Sequence, residues 1–361
     1  MTDYNTGEVD EKLMIREQFI SLLETLNVPD QEIAAQTRAK WDSLRESAAS
    51  FGQLELIHQR MAAIQGMTDP ASKPRTLFIF GADNGIVAEG ISLCGKQVTA
   101  QVMRDIAAEK SVTNTLARLS ETTVIPVNLG VRDLNDEEGI IHVAVKAGGT
   151  ESFARTEAMS EIEMMLAIQL GYEMAIGAVN NGYRILMAGQ AGSGNTSTST
   201  ALLAALEETN AASICGRLPG ISDQQSLREQ EIISAALSKH NLSADDPLTA
   251  VRTVGGFDIA AMVGFYAAAA LNNIPVILDD LVSQVAAVVL RKLQPNISHY
   301  LFAAHQTTGP GCELALRSLG LTSFLDLDLY HGAGVGALLA LPLFDSAVSI
   351  YRRVCQKCIS G

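Results

Sequence analysis

Four short stretches of the chain combine glycines with small polar or charged side chains, the composition a backbone needs where it must approach a ligand closely. Gly81–Ser92 reads GADNGIVAEGIS and carries Asp83, a carboxylate able to orient a substrate hydroxyl, and Ser92; an aspartate that serves a tight turn is the alternative. Gly189–Ser199 reads GQAGSGNTSTS and runs into ALLAAL, so Gly192, Ser193, Gly194, Asn195 and Thr196 set amides and hydroxyls at a helix N-terminus. That is where an anion is favoured, although the same residues could do no more than cap the helix. The stretch matches neither GxGxxG nor GxxxxGK[ST], so a nucleoside monophosphate fits it better than a dinucleotide or a triphosphate. Gly216–Asp223 reads GRLPGISD, and Gly216, Arg217 and Gly220 could add amides and a guanidinium to the same phosphate. Gly332–Gly336 reads GAGVG; Gly332 and Gly334 demand close approach of a ligand or of another chain segment, while Ala333 supplies neither acid nor base.

Elements that could position these stretches follow from the apolar pattern. Short, continuous apolar runs at 75–80, 124–129, 184–188, 274–278, 300–303 and 324–327 read as strands buried on both faces, each separated from the next by helical sequence. The alternation predicts an α/β fold, a Rossmann-like parallel sheet flanked by helices, with ligands at the carboxyl ends of the strands. Residues 1–70 are mainly helical and fall outside the alternation, as does 331–361, a glycine loop followed by an apolar helix. The expected organisation is therefore a parallel α/β domain over 71–330 and a small helical subdomain built from both end segments. Leu206 to Asp246 is the least regular stretch and is expected at the surface or over a site.

Composition narrows the function classes. A formal net charge of -14 offers no basic field for nucleic acid. The acidic, polar opening MTDYNTGEVDEKL lacks the features of a secretory leader, and no single apolar run reads as a membrane span, so a cytoplasmic protein is expected. Five cysteines, an odd number, do not make a disulfide framework. Cys355 and Cys358 form a CxxC, but without a second pair it predicts no metal site.

The order and wording of the loops resemble the nicotinate-nucleotide:dimethylbenzimidazole phosphoribosyltransferases over almost the whole chain. The matches are FGQLE from Phe51, GADNGIVAEGIS from Gly81, QVTAQV from Gln97, GGT from Gly148, GSGNT from Gly192, VGGFDIAAMVG from Val254, VILDD from Val276, YLFAAH from Tyr300 and GAGVGALLALPL from Gly332. The resemblance implies a dimer with sites near the subunit interface, and a reaction without metal or organic cofactor. An aromatic base attacks the anomeric carbon of nicotinate mononucleotide, nicotinate leaves, and the configuration inverts from β to α. It also implies substrate contacts for Asp279 and His305, although Asp279 could only cap the following helix and His305 could be a buried histidine bonded to a neighbouring loop.

The departures fall where that chemistry is done. The glutamate of the family's GEGSG loop, its catalytic base, is Ala333 here, so no catalytic residue is assigned, and a second family glutamate is Gln190. The family's phosphate-binding lysine falls at or beside Glu229 and Gln230, its GRGTG is GRLPG, its aspartate-histidine pair is Asp83-Asn84, and its PPGSLG is degraded to Ala48-Ala49-Ser50-Phe51-Gly52. The pattern is similar to the incomplete subunit of the heteromeric family member that transfers phosphoribose to phenol or p-cresol. The expectation is a chain that is silent alone and paired with a homologous subunit. The alternatives are an active homodimer whose base is Asp83 or Asp279, and a non-enzymatic small-ligand-binding regulator.

Overall fold

The computed structural model describes residues 13–43, 50–91, 98–216, 222–306 and 309–359, the side chains of the last only as far as 353. The expectations placed on Ala48, Ala49, Ser92, Gln97, Arg217 and Gly220, and on the side chains of Cys355 and Cys358, lie outside the described residues.

Three helices come first: α1 (Arg16–Glu24), α2 (Gln31–Ser43) and α3 (Gln53–Gln65). The sheet then alternates with helices. Strand β1 (Arg75–Ala82) leads through α4 (Val98–Ala107) and α5 (Val112–Leu119) to β2 (Thr122–Gly130) and the short β3 (Ile141–His142). Helix α6 (Glu161–Asn180) leads to β4 (Ile185–Ala191), and α7 (Asn195–Leu206), α8 (Ala211–Ile214), α9 (Asp223–His240), α10 (Pro247–Val254) and α11 (Phe257–Leu271) lead to β5 (Val276–Leu278). Helix α12 (Leu281–Leu293), β6 (Leu301–Ala303), α13 (Pro310–Leu319) and α14 (Val335–Ile359) complete the chain.

All paired strands are parallel, in the order β3-β2-β1-β4-β5-β6. Every residue of β1 and β4 is buried, which is why both read as unbroken apolar runs rather than as alternating ones. The order reverses between β1 and β4, and a doubly wound sheet opens its ligand crevice above such a reversal. The two-residue β3 gave no sequence signal. The run at 324–327 is corrected: it makes only a single bridge, Leu325 to His305, beyond the end of β6. Asp326 is exposed and Asp328 takes φ +51, so the acid alternation that follows Phe324 turns the chain out before a strand can extend.

Helix starts are set by side-chain caps. Ser160 and Glu163 form a capping box on α6, Ser222 and Gln225 on α9, and Asp280 accepts the Val282 and Ser283 amides of α12. Helices α6 and α11 cross closely because each brings a glycine to the contact: a Cβ on Gly171 would lie 1.8 Å from the Ala261 carbonyl oxygen, and one on Gly264 1.8 Å from that of Ile168. Helix α6 and residues 335–353 of α14 are long and apolar enough to cross a membrane by composition, yet half of α6 and 56% of the α14 window are buried inside the fold. At the other end of the sheet α2 and α3 pack on each other and α3 on α14, joining early and late chain around Trp41, His58 and Tyr351.

Candidate functional site

Among the described residues, two separate cavities open at the carboxyl edge of the sheet, one on each side of the β1/β4 reversal. The larger, of about 280 Å³, lies over β4 and β5 and is walled by Gln190 and Asp280 from the strand ends, Asn195 and Thr196 from α7, and Gly332 and Ala333 from the last loop. Val102, Ile214, Leu281, Val282 and Cys312 make it predominantly apolar, and no lysine or arginine is among the described residues that line it. The smaller, of about 200 Å³, lies over β1 and β2 and takes Asp83, Asn84, Arg132 and Ser193 together with the 148–156 segment. The Gly192–Asn195 turn divides the two, held to the first loop by the Asn84 amide donating to the Ser193 carbonyl at 3.2 Å.

The residues singled out in the sequence therefore do not all meet at one place. Gln190, Asn195, Thr196, Gly216, Gly332 and Ala333 line the larger cavity, and Asp83 and Ser193 the smaller. Gly192, Gly194, Gly334, Asp279 and His305 line neither. The glycines among them are demanded by the protein itself. A Cβ on Gly192 would lie 2.3 Å from the Ala82 carbonyl oxygen, and one on Gly334 2.4 Å from Leu77. Gly194 is the cap of α7 at φ +84.

Asp279 is fully buried, and its carboxylate accepts the amides of Gly334 at 2.7 Å and Ala337 at 3.1 Å. It caps the last helix, not the following one. That following helix, α12, is capped by Asp280, a residue the sequence reading passed over although the second acid of VILDD directly precedes an apolar helix. Burial raises both carboxyls, and their proximity adds to the rise at Asp279. His305 is fully buried against α14, where a Cβ on Gly336 would lie 1.9 Å from its Nδ1.

At the centre of the larger cavity, Gln190 Nε2 donates to Asp280 Oδ2 at 2.7 Å, and the Asp280 Oδ1 accepts the two helix amides. Two carboxylates at this spacing could not both ionise, so the neutral amide fixes the pair with Asp280 as acceptor. Gln190 Oε1 is buried with no hydrogen-bond partner. Beside it Ala333 holds φ +57, its carbonyl accepting from Thr113 Oγ1 at 2.9 Å, so the methyl group stands where the loop turns into the cavity.

Behind the first turn of α7, Glu229 is buried and accepts hydrogen bonds from Ser197 Oγ and the Cys215 thiol. Burial raises its carboxyl, and burial with the nearby carboxylate pushes Cys215 up to about 12. An acid thus holds the hydroxyl of the α7 turn that a bound anion would seek. Tyr330 forms part of the cavity rim, with its hydroxyl against Thr196, and burial raises it. Neither the Glu229–Cys215 contact nor Tyr330 carried a sequence signal, because both arise from residues far apart in the chain.

The comparisons with known proteins agree in kind. A family model, DBI_PRT, described as phosphoribosyltransferase, matches residues 26–357. Among curated relatives, the chain is similar to the nicotinate-nucleotide--dimethylbenzimidazole phosphoribosyltransferase of Acetivibrio thermocellus, 35% identical over 87% of this chain and 89% of that one. The Pseudomonas putida protein of the same name is 36% identical over 88% and 90%. The crystal structure of the Thermus thermophilus phosphoribosyltransferase of that name superposes with a TM-score of 0.84 at 32% identity, covering 90% of this chain and 96% of that one.

Proposed function

Because the chain belongs to the nicotinate-nucleotide--dimethylbenzimidazole phosphoribosyltransferase family, we propose that it is one subunit of an enzyme transferring phosphoribose from nicotinate mononucleotide to an aromatic acceptor, a phenol, p-cresol or a benzimidazole, and that it does not itself catalyse the transfer. The product is the α-ribotide that becomes a cobamide lower ligand. The observation that carries the silent role is the absence of a free carboxylate among the described residues that line the larger cavity: the family glutamate position is Ala333, the one carboxylate there, Asp280, is already bonded by Gln190 and two helix amides, and the one lining imidazole, His331, is exposed with its Nδ1 beside the Gly332 carbonyl at 2.9 Å. Neither alternative base fits better, since Asp279 is sealed in the core and Asp83 belongs to the other cavity. The phosphate end adds to this, with Glu229 on the Ser197 hydroxyl and no lysine or arginine among the described residues that line the cavity.

On this reading the chain contributes surface and shape to a homologous partner whose loop retains the glutamate, and the pair forms a heterodimer. The test is phosphoribosyl transfer to phenol, p-cresol and dimethylbenzimidazole by this chain alone and co-expressed with a homologue bearing GEGSG. Turnover only in the mixture, abolished by Glu→Ala in the partner's loop and retained with Gln190→Ala in this chain, is expected. Turnover by this chain alone would overturn the reading and direct attention to Asp280 as the base.

A further inference from the structure

The smaller cavity is not used by the chemistry above, yet it is walled by the Asp83-Asn84-Gly85 stretch and by the Gly148-Gly149-Thr150 turn. The two segments are pressed together: a Cβ on Gly149 would lie 1.9 Å from the Asp83 carbonyl oxygen, and one on Gly85 2.3 Å from the Glu151 backbone. The Thr150 amide donates to the Asp83 carbonyl at 3.1 Å, and Thr150 Oγ1 accepts the Gly85 amide at 3.0 Å. A rigid cleft results at the carboxyl ends of β1 and β2, beside the reversal in strand order, where doubly wound sheets hold their ligands.

Most polar groups around this cleft already have partners. Arg155 pairs with Glu89 at 2.7 Å, Ser152 donates to the same carboxylate, and Lys146 pairs with Glu151 at 2.8 Å. Among the described charged and amide side chains that line the cleft, three have capacity left over. Asp83, 9% exposed, spends Oδ2 on the Arg132 amide at 2.8 Å and leaves Oδ1 buried without a hydrogen bond. Asn84, 3% exposed, accepts from Thr198 through Oδ1 and leaves Nδ2 without one. The Arg132 guanidinium stands at the exposed rim with no hydrogen bond or ion pair to another described side chain, although it lies near enough to Asp83 to be felt by its charge. Thr99, whose hydroxyl lies near Asp83, has one proton to give and also faces Ser193 Oγ at 3.4 Å.

An ionised carboxylate only accepts hydrogen bonds and an amide nitrogen only donates them, whereas a hydroxyl does both, so a single hydroxyl satisfies Asp83 and Asn84 together. A guanidinium at the mouth selects a carboxylate or phosphate. A volume of about 200 Å³ is below the roughly 300 Å³ at which drug-sized pockets begin, so the occupant is small. We propose that this cleft is a second binding site, separate from the larger cavity, for a small hydroxylated anion whose hydroxyl sits on Asp83 and Asn84 and whose charged group sits on Arg132. Two sources share that chemistry, a sugar phosphate and a hydroxy acid.

The proposal does not depend on which subunit performs the transfer. Calorimetric titration of the full chain with D-ribose 5-phosphate and with L-malate, and with ribose and inorganic phosphate as controls, tests it. Saturable binding of either hydroxylated anion is expected, with each control at least about tenfold weaker, because each lacks one of the two charge-assisted contacts. Asp83→Asn and, on the exposed rim where folding is not at stake, Arg132→Gln should each weaken it about tenfold or more. Gln190→Ala, in the other cavity, should leave it unchanged. Which anion binds decides between the two sources. Absence of binding by all probes, phosphate or ribose binding as well as the hydroxylated anion, or loss of binding with Gln190→Ala but not with Asp83→Asn would each overturn the proposal.

Discussion

Acidification should loosen the helical end of the molecule through one imidazole. His58 is fully buried, stacked on Tyr351 with ring centroids 3.9 Å apart, and its Nδ1 accepts the Trp41 indole N–H at 3.2 Å. That bond requires the neutral ring. Burial lowers the imidazole from its ordinary 6.5 to about 4, with Asp69 opposing and Arg352 reinforcing the fall. Between those two values the unfolded chain binds a proton that the folded chain refuses, so stability is lost as pH falls from about 6.5 to about 4 and changes no further through this group below that. At about 1.36 kcal/mol per pH unit the whole loss is roughly 3 kcal/mol, with about 2 kcal/mol gone by pH 5. Trp41 is the only tryptophan in the sequence, so urea unfolding followed by its emission reports this contact directly. His58→Gln keeps an acceptor for the indole but cannot titrate; its loss of stability between pH 7 and pH 5 should be smaller than that of the unaltered chain by about 2 kcal/mol. Equal losses in the two proteins would refute the assignment, since the many carboxylates common to both cancel in the comparison.

Two further outcomes are expected. Gly264→Ala, which forces a methyl group to 1.8 Å from the Ile168 carbonyl oxygen, should push α11 off α6 and lower the guanidinium-unfolding stability by about 3 kcal/mol. Ala333→Glu combined with Glu229→Lys, which returns a base to the larger cavity and a cation behind the first turn of α7 while leaving Gln190 on Asp280, should raise transfer by this chain alone about 10²- to 10⁴-fold over background in a nicotinate-release assay.

The sheet was legible in the sequence because four of its strands, β1, β4, β5 and β6, are buried along their whole length and β2 over its second half, and so print as apolar blocks, Arg75–Ala82 the clearest. The 324–327 run misled for the same reason in reverse: apolar content was read without the acids that follow it, Asp326 and Asp328, which turn the segment out. In the larger cavity the glycine loops marked the right strand ends, but sequence spacing could not separate Asp279, spent on the amides of α14, from its neighbour Asp280, which faces the void. Nor could it divide the four loops between two cavities. That division depends on how tightly Gly192 and Gly149 let adjacent turns pack, a distance between backbones rather than a property of residue type.

The junction of early and late helices also sets an order in time. Helix α3 ends at Gln65 and its packing partner α14 begins at Val335, so at the ~5–20 residues per second of synthesis the face carrying His58 waits roughly 15–50 s for its cover. Through that interval a nascent chain exposes Trp41, Ile57 and Met61, all buried in the finished molecule. The helices made first are then among the last to be secured, and this apolar face is where a holding chaperone would engage the chain on the ribosome.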